Sequence, residues 1–143
     1  MRTRLTFAAT WHLPADPAAV CAEILDVEHW VVWWPQIRAV ASLGPDDARV
    51  IARSALPHHL DLVLHAVCRD LPELVVGLDG DLVGEARWRL TPVPAGSRLD
   101  YHQEVTASGW LGAASRVAAP VMRWNHDRMM AGCVAGLGHR LGP

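Results

Sequence analysis

The chain contains little that would tie it together covalently and little that would draw it to a charged partner. Cysteine occurs three times, as Cys21, Cys68 and Cys133, widely separated and never as a CxxC pair. An odd number of isolated thiols argues against a disulfide framework and a structural zinc site, and fits buried thiols in a reducing cytoplasm. The formal net charge is only −2, so nothing electrostatic favours nucleic acid or an anionic membrane surface. No uncharged apolar run reaches about 18 residues, which leaves no segment expected to span a membrane. Phe and Tyr occur once each against seven Trp, so the aromatic surface is almost entirely indole.

Other absences bear on chemistry. No Ser-His-Asp or Cys-His arrangement is discernible. Gly80-Asp81-Leu82-Val83-Gly84 lacks the Lys-Ser/Thr ending of a phosphate-binding loop. Arg2 and Arg4 before Leu5–Trp11 imitate the start of a signal peptide, but Thr6, Thr10 and His12 interrupt the run, and strict alternation accounts for it better. His58, His59 and His65 suggest a metal only superficially. Adjacent histidines on a strand point to opposite faces, so at most one of the first two shares a face with His65. No metal site and no cofactor are therefore expected. The length of 143 residues suits one domain with one core, residues 1–143.

What is present is period. Residues 4–13 alternate, with Leu5, Phe7, Ala9, Trp11 and Leu13 on one face, as in a half-buried strand closed by Pro14. Asp16-Pro17 opens a helix: Asp16 is the N-cap and Pro17 the first helical residue, where a missing N–H costs nothing. Val20, Ile24 and Val27 form its apolar stripe. A second short helix is expected over Glu28–Trp34, ended by Pro35. It carries Trp30, Trp33 and Trp34, more indole than a short helix can hide, so some must pack on a sheet or line a cleft. Strands are then expected at Ile37–Leu43, Arg49–Leu56, His59–Arg69, Glu73–Leu78, Gly84–Thr91 and Arg98–Thr106, joined by turns such as Gly44-Pro45-Asp46-Asp47. Alternation turns Val50, Ala52, Leu56, Leu60, Leu62, Leu64, Ala86, Trp88, Leu90, Leu99, Tyr101, Gln103 and Val105 inward, and Arg53 and Arg87 outward.

The stretch from Ala113 to Leu141 reads as helical, with Pro120 either the start of the long helix after a short helical lead-in or a kink within it. At about 100° per residue, Met122, Met129, Met130, Cys133, Val134, Leu137 and Leu141 share a broad face. His126 projects from its middle and Arg123 lies toward one edge, while Asn125, Asp127 and Arg128 are expected to point elsewhere. Trp124 and Asn125 are read as packing or helix-to-sheet hydrogen-bonding groups. Gly132 and Gly136 each forgo about 1 kcal/mol of helix propensity, for which the reason is close approach of another backbone, that of the Trp-rich helix. Successive hairpins make an antiparallel sheet with one covered face, and only the last helix is long enough to cover it.

This order and these motifs resemble the START-like, helix-grip (SRPBCC) superfamily, and within it the bacterial polyketide cyclase/dehydrase-type members. The residues that carry the resemblance are Pro14 through Leu25, Trp33-Trp34-Pro35, Leu56-Pro57 with Leu60, Gly80-Asp81-Leu82 with Gly84, Trp88 with Leu90, and Trp124-Asn125-His126-Asp127 with Met130, Gly132, Gly136 and Leu137. The resemblance implies an α+β helix-grip fold (START/Bet v 1-like): an antiparallel curved sheet of about six to seven strands wrapped around a long C-terminal helix, in the order β-α-α-β(5–6)-α.

Three functions follow as expectations. The first is binding of a hydrophobic or aromatic small molecule, lipid- or polyketide-like, between sheet and helix. The second is a polyketide cyclase/aromatase or dehydratase, with His126 or Tyr101 moving a proton. The third is an interaction or stress-related domain with no functional pocket, which requires a filled interior. The candidate ligand-binding residues are Trp33, Trp34, Leu56, Leu62, Leu64, Trp88, Tyr101, Met122, His126, Met129 and Met130. A homodimer through an edge strand is left open.

Overall fold

The structure is a computed structural model and describes residues 3–53, 59–107 and 119–142. Its elements are β1 (Thr3–Leu13), α1 (Pro17–Leu25), a 3-10 turn (Val27–His29), α2 (Trp30–Trp33), β2 (Ile37–Ser42), β3 (Asp47–Arg53), β4 (His59–Cys68), β5 (Glu73–Gly80), β6 (Leu82–Val93), β7 (Gly96–Ala107) and α3 (Ala119–Leu141). The expected order is present, with seven strands. The second helix is shorter than expected, because the chain around His29 tightens into a 3-10 turn before α2 begins. The helical lead-in expected before Pro120 lies outside the described residues.

Strand order is β1-β7-β6-β5-β4-β3-β2, and every neighbouring pair is antiparallel. The sheet's two edges, β1 and β2, are thus consecutive strands in the chain, and the α1–α2 segment carries the backbone from one edge to the other. Asp16 caps α1 as expected, its Oδ1 accepting from Ala19 N at 2.8 Å.

Alternation sets the two faces. Leu5, Phe7 and Leu13 of β1, Val50 and Ala52 of β3, Leu60 and Leu64 of β4, Ala86, Trp88 and Leu90 of β6, and Leu99, Tyr101, Gln103 and Val105 of β7 are all buried. On the outer face Arg49 meets Asp61 and Arg87 meets Glu73 and Glu85, exposed pairs that contribute little to stability. The inward pattern of β4 weakens near its end, where a register shift between Ala66 and Cys68 re-aims the side chains.

The helix α3 lies on the inner face. Pro120 sits in its first turn, where the ring costs no hydrogen bond. Cys133 and Leu137 are fully buried and Met122 and Met130 nearly so. At Gly136 α3 is held against the α2 backbone as the sequence suggested, while Gly132 meets a side chain beyond α2 instead. A Cβ on Gly136 would overlap the Trp33 carbonyl oxygen, and one on Gly132 would overlap the end of the Gln36 side chain. Trp34 fastens the same seam, its indole N–H donating to the Met129 carbonyl at 2.9 Å.

Candidate functional site

Beside this seam, along the first half of α3, sheet and helix do not close. An apolar cavity of about 100 Å³ remains, partly open to solvent. Its walls come from all seven strands and two helices. Leu62 and Leu64 of β4, Ala86 and Trp88 of β6 and Tyr101 and Gln103 of β7 line the sheet side. Met122, Asn125, His126, Met129 and Met130 line the helix side, and Trp30 and Trp34 add indole to the walls. None of the described residues lining it is Asp, Glu, Lys or Arg.

Three side chains supply a polar spot in this apolar space. Tyr101 and Gln103 are two residues apart on β7, so both point inward. The Tyr101 hydroxyl donates to Gln103 Oε1. His126 Nε2 lies 3.1 Å from the same oxygen. An amide oxygen only accepts, so the imidazole hydrogen sits on Nε2 and Nδ1 is left as an acceptor. The His126 ring is held in place by stacking on Phe7, with centroids 3.8 Å apart and planes 14° apart. The Tyr101 ring in turn meets Trp88 edge-on at 4.8 Å.

Burial, and after it the nearby Arg123 charge, push the His126 pKa down to about 4, so the ring is neutral at pH 7. Burial also drives Tyr101 far above the usual phenol range. Arg123 remains outside the cavity, its Nη1 donating to the Thr6 carbonyl at 2.9 Å and its guanidinium carbon 5.9 Å from the Phe7 ring centroid. The spot therefore offers hydrogen bonds without charge.

Of the candidates expected from sequence, Trp34, Leu62, Leu64, Trp88, Tyr101, Met122, His126, Met129 and Met130 lie around this one space. Leu56 falls outside the described residues. Trp33 is a correction. It does not line the cavity but stacks on Trp34 at 5.9 Å and lies against Gly136, because α2 turns that indole toward the helix seam. Asn125 is a second correction: it is 7% exposed and lines the cavity. The spacing explains why, since residues 122, 125, 126 and 129 form one i, i+3, i+4, i+7 stripe. Trp124 is a third, at 51% exposed with Arg128 over its ring rather than packed toward the sheet. Sequence reasoning passed over Trp30 and Gln103 as site residues. Gln103 carried a signal, being a polar residue on an otherwise apolar inward register.

Among the described residues no group of three or more His, Cys, Asp or Glu is arranged to hold a metal ion. His65 instead bonds Asp47 at 2.5 Å on the outer surface. No described helix is long and apolar enough to cross a membrane.

Residues 4–138 match the family described as polyketide cyclase / dehydrase and lipid transport. The chain belongs to that family. Solved structures of the same fold include a START superfamily protein from Mycobacterium smegmatis, with a TM-score of 0.75 and 14% identity over 96% of each chain. They also include a protein from Thermus thermophilus, with a TM-score of 0.73 and 14% identity, covering 94% of this chain and 97% of that one. The Zhui aromatase/cyclase from a Streptomyces species aligns with a TM-score of 0.69 and 12% identity, covering 99% of this chain and 94% of its own. At such identities these structures establish the helix-grip fold that this family member shares with them. No curated protein matches the sequence significantly.

Proposed function

We propose that this family member binds a small hydrophobic or aromatic molecule between its sheet and α3, with residues 1–143 acting as one binding domain in the cytoplasm. The observation that carries this is the cavity itself: an apolar space lined by indoles, leucines and methionines, with a single convergent polar spot at Tyr101, Gln103 and His126. Concave apolar sites with a few placed polar groups are what small-molecule sites look like. Size narrows the ligand. A cavity of about 100 Å³ is of the order of the ~150 Å³ apolar cavity that takes benzene, so the scale is one ring with a short substituent. Met122, Met129 and Met130 form walls that adjust to shape.

A second reading is proton transfer in a cyclisation, aromatisation or dehydration of a polyketide-like substrate, with polyketide cyclase and dehydrase named for the family and aromatase/cyclase for the Streptomyces neighbour. The convergence of Tyr101 and His126 on one oxygen favours it. The environment weighs against it as the first choice. A His with a pKa of about 4 is a weak base at pH 7, and a phenol raised by burial is a poor acid. A filled interior, which the interaction-domain reading requires, is not what the cavity offers.

Native mass spectrometry of gently purified protein, repeated with His126→Ala, tests the proposal. The expected result is a specific small-molecule adduct that is weakened or lost in the variant. An empty protein that gains no thermal stability from any member of an aromatic and lipid panel overturns it. Turnover of the recovered compound would promote the second reading.

A further inference from the structure

Resting on that binding proposal, we infer that the cavity sorts ligands by charge: it takes a neutral ring bearing a carbonyl oxygen and rejects the isosteric carboxylate. Three observations carry this. First, no described lining residue bears a formal charge in its usual ionisation state at pH 7, so an anion would be buried without a partner, at a cost far larger than that of a lost neutral hydrogen bond. Second, Arg123, the described cation whose charge reaches His126, is engaged elsewhere. It bonds the Thr6 carbonyl, packs over the Phe7 ring and does not line the cavity.

Third, the hydrogen bonds already made leave a defined complement. Gln103 Oε1 is claimed by both Tyr101 and His126. The indole N–H groups of Trp30 and Trp34 are also claimed, by the Ile24 and Met129 carbonyls. The Gln103 amide nitrogen is held to no described residue and is a donor on offer at this polar spot. A carbonyl oxygen is its partner. The imidazole Nδ1 and the phenolic oxygen are acceptors and repel a carboxylate placed beside them. His126 does not rescue the anion by protonation, since burial and Arg123 both oppose its charged form.

The probes are cumene, acetophenone and benzoate, which share one ring and differ only in an apolar, a carbonyl or a carboxylate substituent. Affinities at pH 7.5 are read from quenching of tryptophan fluorescence and from thermal shift, in the wild-type chain and in Gln103→Leu. The expected result is that acetophenone and cumene bind and that benzoate binds at least tenfold more weakly than acetophenone. Gln103→Leu should weaken acetophenone about tenfold while leaving cumene within twofold, and retained cumene binding shows that the variant is folded. Benzoate within threefold of acetophenone overturns the charge sorting while leaving small-molecule binding intact. An unchanged acetophenone-to-cumene ratio in Gln103→Leu overturns the role given to the amide. Failure of all three probes to bind overturns the binding proposal for ring-sized ligands and the inference together. Should Gln103→Leu fail to fold, the wild-type series alone decides the charge sorting.

Discussion

Two adjoining stretches of α3 are built to opposite specifications. Toward α2 the helix gives up side chains altogether: Gly132 and Gly136 admit the Gln36 side chain and the Trp33 backbone with no room for a methyl group, and the Trp34 indole ties the seam with a hydrogen bond to the helix backbone. Toward the centre of the sheet the same helix presents Met122, His126 and Met129 to empty space. The tight seam borders the void, with Trp34 and Met129 belonging to both. Packed interiors normally leave few voids, and a helix free to settle would close this one. Anchoring by backbone contact along one edge holds α3 off the sheet, at the cost of about 1 kcal/mol of helix propensity per glycine.

That contrast makes predictions of graded size. The largest effect belongs to the seam. Gly136→Ala must displace the Trp33 carbonyl, and its unfolding free energy should fall by roughly 3 kcal/mol, the upper part of the overpacking range, in a urea titration. Gly132→Ala meets only the movable end of Gln36 and should cost less than about 1 kcal/mol. Equal losses at the two positions would show that the seam is not the rigid element.

The next effect is pH, and it belongs to the hollow side. His126 titrates near 6.5 when unfolded and near 4 when folded. Between those values the unfolded chain binds more protons, so stability present above about pH 6.5 is lost as pH falls and levels off below about 4. The full loss is roughly 3 kcal/mol at most. Urea midpoints for wild type and His126→Gln at pH 7.5, 5.5 and 4 isolate it. The difference between the two chains should shrink as the pH drops. His29, whose hydrogen bond to Asp26 raises its pKa, acts in the opposite sense and cancels in that difference.

Smaller again is Tyr101→Phe, which removes one of two donors to Gln103 Oε1 while His126 keeps the other. About 1 kcal/mol of stability should go, visible as a lowered Tm. The smallest stability effect is expected where the most volume is added. Ala86 lines the cavity, so Ala86→Leu should fill space rather than create overlap and leave the unfolding free energy within about 1 kcal/mol of wild type, while abolishing ligand binding. An Ala86→Leu chain as damaged as Gly136→Ala would show that the hollow is not there.

Much of this arrangement was legible in the chain. Alternation on β7 turned Tyr101 and Gln103 inward without any knowledge of partners, and the i, i+3, i+4 recurrence of Met122, His126 and Met129 marked the covered face of α3. Gly136 announced a close backbone approach because nothing local rewards glycine inside a helix, whereas Gly132 meets the Gln36 side chain instead of a backbone. What failed was orientation in short or irregular pieces. Trp30 and Trp33 sit in four residues of helix behind a 3-10 turn, with Trp34 the extended residue that ends it, where period assigns no reliable face, and the wrong indole was given to the cavity. Asn125 was misplaced because its polarity outweighed its spacing.

Local sequence determined the strands, the long helix, the inward register and the small residues at the seam, since these depend on backbone geometry and on which neighbours a residue meets two to four positions away. Only the tertiary structure decided that a cavity exists, which tryptophans bound it, and that Tyr101 and His126 meet on one amide oxygen. Those outcomes depend on how far apart two separately formed layers come to rest. That distance is set by contacts such as Gly136 against Trp33, between residues about a hundred positions apart in the chain, and no local period records it.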